Sequence, residues 1–160
     1  MPRLSLVLPI LGITLVAGFV AHGFINRGDY AIAQGAQNDE ATAFTDGRPN
    51  LVAATFYSAW CSSCAVLEPR LRHILPGFEG RAVEFAKFDF SMGQPESLTE
   101  KAKELGVEQV YLANKGATGF MALIDRRNQN VIAIVTVTQS DQDIQRTIGA
   151  AIQTASKPAV

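Results

Sequence analysis

Cysteine and histidine are scarce in this chain of 160 residues, with two of each, and the scarcity excludes whole classes of chemistry. A closed zinc site takes about four ligands. Outside the N-terminal apolar run the chain offers only Cys61, Cys64 and His73 of the thiol and imidazole types. Attachment of a c-type haem needs a histidine directly after the second cysteine of a C-x-x-C pair, and Ala65 stands there. Charge of neither sign predominates: 14 Lys and Arg face 15 Asp and Glu, and no basic face with interleaved aromatics points to nucleic acid. Internal repeats and low-complexity tracts are absent, and no proline occurs between Pro95 and Pro158. No metal, no other cofactor and no nucleic-acid partner is expected.

What the chain does have is concentrated in one stretch, LVAATFYSAWCSSCAVLEPRL, from Leu51 to Leu71. Its first part, Leu51 to Tyr57, is a short apolar run with aromatic, Val and Thr residues, the pattern of a buried strand; Cys61 and Cys64 then fall where a helix should begin. At such a turn the first cysteine meets unpaired backbone N–H groups and the positive end of the helix dipole, which favour thiolate over thiol. The second lies one turn on, within disulfide reach. The spacing serves redox dithiols, structural disulfides and metal sites. Missing ligands count against metal, and the strand-to-helix turn favours a dithiol that opens and closes.

This stretch resembles the thioredoxin-like superfamily, and the resemblance extends over roughly Leu51 to Ile152. The family motif is an apolar strand, then W-C-x-x-C, then a proline five residues past the second cysteine; Trp60, Cys61, Cys64 and Pro69 occupy those positions. Phe85-Ala86-Lys87-Phe88-Asp89 is similar to the family's next core strand with its lysine, and Leu105-Gly106-Val107 to the helix end that leads toward the substrate loop. The resemblance implies an α/β fold with a central mixed sheet flanked by helices, thiol–disulfide oxidoreductase activity and protein thiols or disulfides as substrates. Cys61 and Cys64 are the implied catalytic pair, with Trp60, Ser62, Ser63, Pro69 and Lys87 in support.

Two departures from the family pattern bear on mechanism. The buried acid that the family places six residues before the first cysteine is here Thr55. Lys87, its usual neighbour, is then either electrostatic support for a thiolate or a snorkelling side chain. The family's cis-proline, which exposes backbone groups to a substrate strand, is also missing. Counting forward from Gly106-Val107 places its equivalent at Tyr111; counting back from the following strand places it at Thr118 or Gly119. A non-proline cis bond costs about 3 kcal/mol, so a trans loop shaped by Gly116 and Gly119 is expected.

The N-terminus is a separate region. Leu4 to Ile25 is apolar, follows Arg3, and at about 22 residues is long enough to span a bilayer as a helix. The charge ahead of it favours leaving that end in the cytoplasm. Ala31-Ile32-Ala33 has the small-x-small form of a cleavage site, so residues 1–27 are a membrane anchor or a secretory signal. In either case the domain is exported, periplasmic or tethered outside the inner membrane, and no cysteine follows the run to make a lipoprotein. Residues 28–48 form a polar spacer and residues 49–155 the domain.

The remaining elements follow from periodicity. Ala65, Val66, Leu67, Leu71, Ile74 and Leu75 are read as one helix face ending at Pro76-Gly77, with Pro69 bending the helix and Glu68 and His73 solvated or half-exposed. Val83 to Phe90 reads as a strand covered on both faces. Pro95 to Leu105 is an amphipathic helix capped by Gly106. Phe120 to Asp125 and Val131 to Thr138 form a hairpin. Ser140-x-x-Asp143 opens a last helix with Ile144, Ile148, Ala151 and Ile152 inward.

Ser62-Ser63 between the cysteines sets no direction for electron flow. The export signal joined to a thioredoxin-like body is similar to membrane-anchored reductants of bacterial cytochrome c assembly, which favours a reductant served by a membrane or soluble electron donor. The competing possibility is a binding module in which Cys61–Cys64 is a permanent bridge.

Overall fold

The computed structural model describes residues 47–158. The expectations for an anchor or signal at residues 1–27, and for most of the spacer, lie outside the described residues. Among those described, no helix is long and apolar enough to cross a membrane.

The apolar run forms strand β1, Leu51–Tyr57, at the interior of a mixed sheet. It pairs in parallel with β2, Val83–Asp89, and antiparallel with β3, Phe120–Asp125, which in turn pairs antiparallel with β4, Asn130–Thr136. The order is β2-β1-β3-β4. Strand alternation then builds two cores. Leu51 and Ala53 point to one face, covered by α1 (Ser62–Ile74) and α4 (Asp141–Ala155). Val52, Ala54 and Phe56 point to the other, covered by α2 (Glu96–Glu104) and α3 (Glu108–Ala113). Leu123, Ile144 and Ile148 are fully buried; each such side chain is worth roughly 1.5–3 kcal/mol, so packing on the sheet holds α4 in place. Ser140 closes the start of α4 in a capping box with Asp143, its hydroxyl accepting from the Asp143 N–H at 3.2 Å.

Several expectations need correction. The buried face of α1 is Cys64, Leu67, Leu71 and Ile74; Ala65 and Val66 are exposed. Because the helix starts at Ser62, its 3.6-residue period turns those two outward. After α1 the chain continues as a short 3-10 turn, Leu75–Phe78, through Pro76-Gly77. Strand β2 pairs only with β1 among the described residues, and Glu84, Phe85 and Lys87 are half-buried, so it is an edge with partial cover. Helix α3 is an element that periodicity did not indicate. Strand β4 ends at Thr136, two residues earlier than its apolar pattern.

Candidate functional site

Cys61 is the N-cap of α1, in extended conformation with φ −91° and ψ 116°. That geometry turns its side chain back over the first helical turn, where the sulfur accepts the Cys64 N–H at 3.1 Å. Cys61 is half-buried and Cys64 buried, and both thiols are free. The Cys64 thiol points to the Phe56 carbonyl at 3.9 Å, a weak contact. One sulfur is therefore reachable and the other held beneath it.

The two thiols are driven in opposite directions. Burial by itself would raise Cys61, but hydrogen bonds from the Cys64 thiol, the Thr118 hydroxyl and the backbone N–H groups of Cys64 and Ser63 outweigh it, and the thiol lies below its ordinary range. Cys64 is pushed up, first by burial and then because its proton is held in the hydrogen bond to Cys61. This asymmetry gives an accessible nucleophile at the helix start and a protonated thiol behind it.

The loop opposite the cysteines is Asn114 to Gly119, and every peptide bond among the described residues is trans. Gly119 has φ +97°, a conformation L side chains avoid, and a Cβ there would stand 2.9 Å from Ser63 Cβ and 3.3 Å from Cys61 Sγ. Its N–H donates to the Phe56 carbonyl at 2.9 Å, which locks the loop to the end of β1. Thr118 and Cys61 line a hollow of about 280 Å³ together with Ser58, Trp60, Phe90, Gly93, Gln94 and Gly116. Trp60 is 86% exposed, and its indole N–H donates to the Ser91 carbonyl at 3.3 Å.

The structure thus brings Trp60, Cys61, Ser63, Cys64, Thr118 and Gly119 together. Ser62 is exposed on the first turn, and Pro69 is exposed inside α1, where it withholds an N–H from the Ala65 carbonyl. Tyr111 is not in the loop. It lies in α3, fully buried, its ring 4.9 Å from Phe88 and 6.1 Å from Phe90. The forward count failed because α3 takes up residues that the count assigned to a loop.

Lys87 faces neither solvent alone nor an acid on β1. Its Nζ donates to Glu68 Oε1 at 2.9 Å and sits 3.7 Å from the centre of the Tyr57 ring. Glu68, expected to be solvated or half-exposed, is half-buried, and its pairing with Lys87 is what sequence reasoning missed. The available signal was its spacing of four from Cys64, which places the two on one face of a helix.

No protein-family model matches the chain, and no curated protein matches it in sequence. Solved structures similar to it in shape include thioredoxin from Fasciola hepatica, at 18% identity over 66% of this chain and 85% of that one, with a TM-score of 0.41. Thioredoxin from Malassezia sympodialis is similar at 20% identity over 66% and 80%, with a TM-score of 0.42. Mitochondrial thioredoxin 3 from Saccharomyces cerevisiae is similar at 19% identity over 63% and 78%, with a TM-score of 0.38.

Proposed function

We propose that this chain is a thioredoxin-like thiol–disulfide oxidoreductase working as a reductant of protein disulfides. The observation that carries the proposal is the unequal pair at the start of α1: Cys61 half-exposed with a thiol below its usual range, Cys64 buried and protonated. In the first step the Cys61 thiolate attacks a partner disulfide. A mixed disulfide forms, and one partner sulfur leaves as thiolate and takes a proton. Cys64 then attacks Cys61 Sγ, the mixed disulfide breaks, and the partner departs with both sulfurs reduced. The Cys61–Cys64 disulfide returns to the dithiol when a donor dithiol supplies two electrons.

The apolar run from Leu4 to Ile25 behind Arg3 supports export of the domain, either tethered to the inner membrane or released to the periplasm. Tethering through the polar spacer would hold the dithiol near donors and clients at the bilayer surface.

A Cys64→Ser variant tests the function. It keeps the nucleophile and removes the resolving thiol, so it should accumulate mixed disulfides with partner proteins that gel electrophoresis without reductant displays and reductant dissolves. A variant that forms none, with Cys61 of the reduced protein resistant to alkylation, would favour the binding module with a structural bridge.

A further inference from the structure

Cys64 has to lose its proton before it can resolve a mixed disulfide, and it is buried. The acid that would serve it from β1 is replaced by Thr55, which is itself buried against α1. A carboxyl group nonetheless reaches the same place from another element. Glu68 and Cys64 line one narrow gap of about 150 Å³ with Thr55, Tyr57, Leu67 and Phe120, a space too tight for a water molecule. Glu68 follows Cys64 by four residues in α1, and helical side chains lean toward the N-terminus, so the two side chains share one face of the helix. Its side chain is 24% exposed, which leaves a route from carboxyl to solvent.

We propose that Glu68 is the proton acceptor that ionises Cys64 in the resolving step, a role that rests on the oxidoreductase function above. The Cys64 S–H bond breaks and its proton passes to the Glu68 carboxylate. The sulfur lone pair attacks Cys61 Sγ, the bond from Cys61 to the partner breaks, and the partner leaves as thiolate. Glu68 then releases the proton to solvent. The ion pair with Lys87 has a definite part in this: at 2.9 Å it fixes one oxygen of the carboxylate at the rim of the gap that Cys64 lines. The titratable groups around Glu68 are Lys87 from β2, Tyr57 from β1 and Cys64 on its own helix, while the β3 side contributes Gly119 and Phe120, which carry no charge.

The test separates the two chemical steps. The full chain is loaded at Cys61 with a chromophoric aromatic thiol, and release of that thiol reports the attack by Cys64. Attack of reduced Cys61 on a small disulfide is timed separately. Glu68→Gln should slow release about 100-fold at neutral pH and make it climb with pH toward the range of the unassisted Cys64 thiol, while the Cys61 step stays within about twofold. Lys87→Met removes the same ion pair but keeps the carboxylate, so it should slow release far less. Should the Gln variant not fold, Glu68→Asp, with the acid withdrawn by one methylene, should give an intermediate rate. Release in Glu68→Gln within about threefold of the parent, or an equal loss in Lys87→Met, would overturn the proposal and leave Glu68 as half of a structural ion pair. If the parent protein forms no mixed disulfide at all, the oxidoreductase function fails, and the role of Glu68 with it.

Discussion

Replacing Cys61 by serine is expected to abolish disulfide reduction, by a factor on the order of 10⁴ or more, while the domain stays folded. The reason for the first half is that the nucleophile is the thiolate, and a serine hydroxyl in the same hydrogen-bonded position does not ionise near neutral pH. The reason for the second is structural. Cys61 is half-exposed and caps α1 through a side-chain acceptor, a task that serine performs at least as well. The Cys61–Cys64 bridge closes a loop of so few residues that its loss constrains the unfolded chain little. Turnover of a model protein disulfide, measured beside thermal unfolding of the reduced protein, reads both halves. Loss of the folded domain would show that the bridge is structural, and retained turnover would move the nucleophile elsewhere.

The second large effect is expected at Gly119. A valine there must adopt φ +97°, at a cost of roughly 1–2 kcal/mol for an L residue. Its Cβ would also stand 2.9 Å from Ser63 Cβ and 3.3 Å from Cys61 Sγ, so either the loop or the first turn of α1 has to move. Overpacking of this kind adds about 1–3 kcal/mol. A total near ~3 kcal/mol corresponds to a fall in Tm of roughly 10–20 °C for a domain of this size. Because the movement separates the Thr118 hydroxyl from the sulfurs, Cys61 in the Gly119→Val protein should also react more slowly with a disulfide probe below the ordinary thiol range. An unchanged Tm and an unchanged rate would mean that the loop does not press on the dithiol.

The parts of this molecule that were legible in its sequence are those where one short segment carries its own reason. Leu51 to Tyr57 announces a buried strand because helices cover both of its faces, and a cysteine at the strand-to-helix turn announces a cap. Ser140-x-x-Asp143 likewise names its own helix start. Helix α3 gave no such signal. Six residues are too short to display a helical period, and its N-cap, Val107, makes no side-chain bond. That omission placed Tyr111 in a loop when it stacks within the aromatic core. Thr118 and Gly119 were reached by counting back from β3, a strand whose position its own apolar run fixes. Glu68 could not be assigned for a different reason. A single carboxylate on a helix ordinarily faces water, and only the packing of α1 against the sheet puts this one beside Thr55 and Lys87.

Lys87 shows the same limit from the other side. Its interruption of an apolar strand pattern was visible, but the partner was a matter of tertiary structure. The acid arrives from α1, the element that follows β1, where the resemblance would seek it.

The direct measurement of the central claim is the pH dependence of alkylation at Cys61 in the reduced, folded protein, with the modified residue identified by mass spectrometry. A lowered folded-state value means that thiolate is fully present above it and is lost as the pH falls through it. The rate should therefore level off in alkali and reach half its maximum below the ordinary thiol value of ~8.5. A midpoint at or above that value, or a Cys61 that reacts only once the domain unfolds, would contradict the account.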